Sequence, residues 1–328
     1  MSASLLDRRL HFVVGKGGVG KTTVSGALAL SLARRGKRTL AVEMDAGGRL
    51  RALLGAGDGE YANAAVEKNL HLLMLDGRSA LEEYLGLIIP VKRLLSTIFS
   101  SKVYQYFVAA APGLKELMTV GKIWYETTRE ENGRPAWDAV VVDAPATGHS
   151  LQYLRMPQAA RDTFGAGLVQ REATKITELL ADRRTTAVHL VTLAEEMPVT
   201  ETLEMRAQVK DLLHMPLGHV IVNRLHRRRF APVLLDEVRR AATSASESDG
   251  PLLACVAERA AEEDGWASIN AANLERLAPD AADPALIELP FLFVEEFGST
   301  ELGQLSRLLE AGMDAGRTAV ARRRNPSA

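Results

Sequence analysis

The chain has 328 residues, of which 47% are hydrophobic and 25% charged, with a formal net charge of −1. That balance suits a folded globular protein of one large α/β domain or two small ones, and it lacks the basic surplus of a broad nucleic-acid footprint. A single cysteine, Cys255, excludes an internal disulfide or a cysteine metal cluster, and no apolar run reaches the roughly 18 residues of a transmembrane helix.

In chain order, the N-terminal stretch MSASLLDRRLHFVVG lacks the apolar run of a signal peptide, so a cytoplasmic protein is expected, with any membrane reached through a partner. Leu10–Val14 reads as a strand ending in a glycine loop, and Lys21 to Arg35 as a helix with Val24, Ala27, Leu28, Ser31 and Leu32 on one stripe. Further strands are expected at Arg38–Met44, Leu70–Leu75, Ala139–Val142, Thr186–Leu193, His219–Asn223 and Leu286–Pro290. Helices are expected from Ser79 to about Glu131, from Ser150 to Asp182, and over Val199–Leu213, Ala231–Ala245, Leu252–Leu277 and Thr300–Met313. Strands that alternate with helices and are apolar on both faces predict a mostly parallel sheet covered by helices on both sides. Residues 317–328 are expected to form a disordered tail.

The stretch Val13–Thr23, VVGKGGVGKTT, fits two nucleotide-binding patterns. Gly15-x-Gly17-x-x-Gly20 is a dinucleotide fingerprint, and Glu43 sits about where a ribose-binding acid belongs. Gly15-x-x-x-x-Gly20-Lys21-Thr22 is a phosphate-binding P-loop, which needs a lysine for the β- and γ-phosphates and a hydroxyl for Mg2+. Lys21, Thr22 and Thr23 favour the P-loop, as does Asp143 at the end of an apolar strand, where a P-loop enzyme keeps a carboxylate for the metal's water shell. Lys16 inside the loop adds positive charge where phosphate charge develops. Gly15, Gly17, Gly18 and Gly20 allow successive backbone N–H groups, including that of Val19, to turn towards phosphate oxygens. The cofactors expected on these grounds are a nucleotide and Mg2+.

GKGGVGKTT resembles the deviant Walker A motif, and Asp143–Leu151, DAPATGHSL, is similar to the DTAPTGHTL switch of the arsenite-pump (ArsA) and tail-anchored-protein targeting ATPase family. The resemblance continues in VTLAEEMPVTET, IVNRL and LPFLFVEEFG and spans nearly the whole chain. It implies that the nucleotide is ATP, and it implies a P-loop NTPase fold with one ATPase domain over residues 1–316 and a helical insertion at about 79–131. It implies that Lys16 reaches a partner's nucleotide across a dimer, that Gly17 to Lys21 wrap the phosphates, and that Thr22 ligates Mg2+. Asp45 would position the attacking water and Asp143 would hold the metal through water, with Thr147, Gly148 and His149 forming a second switch. Asn223 would read adenine, and the loop from Pro290 to Glu296 would close over the base.

Several residues depart from that family. One cysteine cannot assemble the thiolate site that arsenite needs, and a zinc-binding CxxC is absent. The first switch, DPAHNLSD in the family, is DAGGRLRA here, with Ala46, Gly48 and Ala52 in place of proline, histidine and the second aspartate. A homodimer or a heterodimer with a related ATPase is expected. The apolar segment Leu85–Met118 is either a groove for a hydrophobic client or ordinary core helix; helical spacing fits both. The ATP-driven switch would then act on a membrane protein or hydrophobic client; the other reading is a regulatory or assembly subunit that hydrolyses little.

Overall fold

A computed structural model describes residues 5–44, 47–56, 64–75, 113–145, 149–229, 231–244, 250–278 and 286–324. An eight-stranded sheet runs in the order β10-β9-β8-β1-β7-β2-β4-β3. Its strands are β1 (Leu10–Gly15), β2 (Thr39–Met44), β3 (Ala64–Glu67), β4 (Leu70–Leu75), β7 (Ala139–Asp143), β8 (Thr186–Leu193), β9 (Leu217–Leu225) and β10 (Ile287–Pro290). All neighbouring pairs are parallel except β3 with β4. A two-stranded hairpin, β5 (Glu130–Glu131) with β6 (Arg134–Pro135), precedes β7. The α/β fold is thus the expected one, a parallel sheet with an antiparallel edge.

Among the described residues the α-helices are α1 (Lys21–Arg34), α2 (Arg49–Leu54), α3 (Leu114–Thr128), α4 (His149–Thr163), α5 (Leu168–Ala181), α6 (Glu196–Ala207), α7 (Pro232–Ser244), α8 (Gly250–Arg276) and α9 (Ser299–Arg324). The helix expected from Ser150 to Asp182 is two, split around Gly167 at φ +106, a conformation that favours glycine. The helix expected to run to Glu131 stops at Thr128, where the chain turns into the hairpin. The last helix continues past Met313 to Arg324, across part of the segment expected as a tail. Residues 76–112, which hold most of the expected insertion and groove, lie outside the described residues.

Side chains alternate across the sheet and feed two cores. Leu10, Phe12, Val14, Leu40, Val42, Val140 and Val142 face one way and pack with Ile123 of α3, Leu154 of α4 and Ile176 of α5. Val13, Ala41, Val141, Val191 and Ile221 face the other way and pack with Val24 and Leu28 of α1 and Leu305 and Leu309 of α9. Two-sided burial explains why these strands are apolar at successive positions. Among the described residues no helix is long and apolar enough to cross a membrane.

Three buried histidines line up across β1, β8 and β9. The His11 and His189 rings stack at 5.4 Å, and those of His189 and His219 at 6.0 Å. The His219 backbone N–H donates to His189 Nδ1 at 3.1 Å, so neutral His189 carries its proton on Nε2 and donates to His11 Nδ1 at 3.1 Å. His11 then carries its proton on Nε2 and donates to the Arg8 carbonyl at 3.0 Å. Burial pushes the His11 pKa down to about 3 and that of His189 well below the ordinary value.

Candidate functional site

The glycine loop joins the end of β1 to the start of α1, at the end of the sheet where the parallel strands finish. Gly15 lies against β8: a Cβ there would sit 2.3 Å from the Val191 carbonyl oxygen. Gly18 and Gly20 have φ values of +86° and +91°, which turn the backbone inward at little steric cost. Gly20 caps α1 without a side chain, so the first-turn N–H groups of the helix face the loop's concavity together with its positive dipole end.

Lys21 is 7% exposed, and its Nζ donates to the Lys16 carbonyl at 3.0 Å, folded across its own loop. Burial lowers its pKa, the Arg49 charge adds to that, and Asp143 opposes both. Lys16 pairs within its own chain: its Nζ donates to Glu201 Oε1 of α6 at 2.6 Å. This is an unforeseen partner for the lysine expected to reach a second subunit, and the pair stays partly solvated, at 31% and 35% side-chain exposure.

Asp143 ends β7, in register with Val13 of β1 on one side and Glu43 of β2 on the other. It is 6% exposed and accepts a hydrogen bond from the Ser25 hydroxyl at 3.0 Å, with the Thr22 hydroxyl close enough to favour its ionised form. Thr22 and Ser25 are three residues apart on α1 and so share a face. Burial raises the Asp143 pKa to about 6, Glu43 adding to the rise and the hydroxyls and Lys21 opposing it. Two hydroxyls and a carboxylate in the lap of the loop form a hard oxygen set, the donor type Mg2+ selects. Ser25 was not legible as part of it, although its spacing from Thr22 was the available signal.

Asn223 of β9 is 3% exposed and holds the loop from behind, its Nδ2 donating to the Val19 carbonyl at 3.0 Å. A Cβ on Gly20 would come within 2.2 Å of that Nδ2. The amide expected to read adenine therefore spends one donor on the P-loop backbone. Pro290 ends β10 opposite Leu225. Beyond it Phe291 stacks on His226 at 4.6 Å and meets Phe293 at 4.9 Å, with the Arg229 guanidinium 4.4 Å over Phe293. These aromatics lie next to the strand carrying Asn223, and Phe293 is 56% exposed.

Glu43, which sits about where a ribose-binding acid belongs, is engaged within the chain. Its buried carboxylate accepts the backbone N–H groups of Arg49 at 2.7 Å and Arg51 at 3.3 Å, tying the start of α2 to the end of β2. Asp45 and Ala46, and Thr147 and Gly148 of the second expected switch, lie outside the described residues; His149 opens α4.

The family described as anion-transporting ATPase matches residues 8–172, half of the chain, and that segment holds the P-loop, Glu43 and Asp143. The chain is 35% identical over 222 residues to the ATPase BagA of Mycobacterium tuberculosis strain H37Rv, covering 66% of this chain and 65% of that protein. It is 26% identical over 340 residues to Protein Rv2184c of the same organism, covering 93% of this chain and 76% of that one. The ATPase GET3 of Kluyveromyces lactis is 29% identical over 165 residues, 47% of each chain. The chain thus spans less than two thirds of the length of the first of these relatives. On its matched segment and the loop geometry above, this chain belongs to the anion-transporting ATPase family.

Proposed function

We propose that the protein binds ATP in the P-loop and hydrolyses it with Mg2+, acting as a switch between chains that is coupled to a membrane transporter or a hydrophobic client. The observation that carries the reading is the convergence of Lys21, Thr22, Ser25 and Asp143 beneath one glycine loop. The α1 N-terminus and the turned loop N–H groups bind the phosphates, and Lys21, released from the Lys16 carbonyl, moves its ammonium onto them. The Thr22 hydroxyl and, through water, Asp143 would hold Mg2+, which supplies charge neutralisation of the phosphates when bound. Asn223 holds the loop in register and keeps an amide oxygen for the base, while Pro290 and the aromatics after it flank the base site. Asp45 orients the water. In the reaction the water oxygen bonds to the γ-phosphorus, the bond to the β,γ-bridging oxygen breaks with its electron pair passing to ADP, and the water proton leaves with phosphate.

Lys16 would exchange Glu201 for the nucleotide of a second subunit, either a copy of this chain or a related ATPase. A second reading, a weakly hydrolysing regulatory or assembly subunit in a heterodimer, is favoured by Ala46, Gly48 and Ala52 in the first switch. The test is ATP turnover with Mg2+ and with a chelator, for the natural protein and for Lys21→Ala. Metal-dependent turnover that falls by about 100-fold or more in Lys21→Ala supports the ATPase reading. Nucleotide binding with turnover no higher than that of Lys21→Ala supports the regulatory one.

A further inference from the structure

The first switch carries an arginine, Arg49, at a position of DAGGRLRA where the family stretch DPAHNLSD has asparagine, so the resemblance gives it no role. We propose that Arg49 contacts the γ-phosphate as the arginine of phosphoryl transfer, supplied by the same chain that binds the nucleotide, and that Glu43 is its positioning residue. The proposal rests on the ATPase reading and deepens it.

Two observations carry it. First, the backbone is fixed at the right place. Arg49 is the first residue of α2, and its N–H donates to Glu43 Oε1 at 2.7 Å. Glu43 is 3% exposed and stands in register with Asp143, the carboxylate beside Thr22 and Ser25. Gly48, the residue before the helix, has no side chain to cap it, so the Glu43 carboxylate does so from the adjoining strand. Second, the side chain is available. Arg49 is exposed, and among the described residues its guanidinium has no carboxylate partner. Arginines 35, 38, 129 and 228, by contrast, are each in an ion pair.

The chemistry needs this group. As the bond from the γ-phosphorus to the bridging oxygen breaks and water bonds on the opposite side, negative charge spreads over the equatorial and leaving oxygens. A guanidinium offers several donors in a planar fork to those oxygens, which an ammonium cannot match. An arginine supplied in cis on a switch segment is a known solution in other P-loop enzymes, and arginines of this kind raise kcat by about 10³–10⁵-fold.

The experiment is calorimetric binding of ADP with Mg2+, with and without aluminium fluoride, alongside steady-state turnover. The proteins are the natural chain, Arg49→Ala, Arg49→Lys, Glu43→Gln and Lys21→Ala. ADP affinity is expected within about 3-fold of the natural protein for the Arg49 and Glu43 variants, since the contact is made to the γ-position. Arg49→Ala is expected to lose the extra affinity that aluminium fluoride confers and about 10³-fold in kcat, with Arg49→Lys recovering little of either. Glu43→Gln is expected to lower kcat about 10-fold and to weaken the aluminium fluoride increment while ADP still titrates to the natural stoichiometry, which loss of folded protein would reduce. Tight aluminium fluoride binding retained in Arg49→Ala overturns the proposal, as does an equal loss of ADP affinity with and without fluoride. Failure of the natural protein to bind nucleotide better than Lys21→Ala overturns the ATPase reading instead, and the proposal with it.

Discussion

Gly20 and Asn223 are coupled by space, and the coupling has a calculable size. Alanine at position 20 must hold φ near +91°, which costs about 1–2 kcal/mol for a residue with a Cβ. The new Cβ would lie 2.2 Å from Asn223 Nδ2, so the amide has to move and its bond to the Val19 carbonyl is lost. A buried acceptor left unsatisfied costs about 1–3 kcal/mol, making Gly20→Ala worse by about 2–5 kcal/mol in total. Asn223→Ala breaks the same bond without the strain and costs about 1–3 kcal/mol. The double variant loses that bond only once. It should therefore cost about as much as Gly20→Ala alone, less than the sum of the single changes by about 1–3 kcal/mol. Urea unfolding of the four proteins without nucleotide measures this directly, provided the slopes agree. Additivity within about 0.5 kcal/mol would show that the amide does not brace the loop through Gly20, and would refute the reasoning.

Glu201→Gln frees Lys16 from its own chain; the pair is partly exposed, so stability should change by less than about 1 kcal/mol while ATP-dependent dimerisation strengthens in sedimentation. An unchanged dimer would show that the pair does not restrain Lys16. His11 and His189 are held neutral in the fold but protonate in the unfolded chain below its ordinary value of 6.5. Their contribution is therefore complete above pH 6.5 and is lost as pH falls towards the depressed folded values, by about 1.4 kcal/mol per pH unit for each histidine. His11→Gln should remove one proton's worth of that slope in urea titrations between pH 6.5 and 5, and a slope equal to the natural protein's would contradict the tautomer chain. Glu126 of α3 pairs with buried Lys122 at 3.0 Å and accepts the Trp137 indole N–H at 3.0 Å. Glu126→Leu leaves the Trp137 N–H without its acceptor and takes the buried carboxylate from Lys122 and Arg129, with an expected loss of about 3–5 kcal/mol by urea unfolding; a loss under about 1 kcal/mol would mean that the carboxylate is not needed to hold these groups.

Much of the fold was legible because it is written locally. Strands β1, β4, β7 and β8 are apolar runs bounded by polar or glycine residues, and α1 carries its stripe at helical spacing. The elements not foreseen are short or weakly patterned. β3 is four residues, AAVE, with only half-buried and exposed positions, and the β5–β6 hairpin has two residues a strand. α2 follows two glycines and has six residues. Such segments owe their state to neighbours, so their own propensities say little.

The nucleotide loop is determined by sequence alone, because glycine spacing and an adjoining lysine act through a dozen consecutive residues whatever the rest of the chain does. What surrounds the loop is decided by tertiary structure. Lys16 meets Glu201 185 residues further on, Asn223 reaches Val19 from 204 residues away, and Ser25 meets Asp143 across 118. These pairs exist because the sheet places β8 and β7 on either side of β1 and β2 beyond β7. Strand order is set by which buried faces pack together over the whole chain, and no local pattern encodes it. Glu43 shows the difference: in the sequence it is an acid near the end of a strand, and in the fold it is the clamp that holds Arg49 beside the phosphate loop.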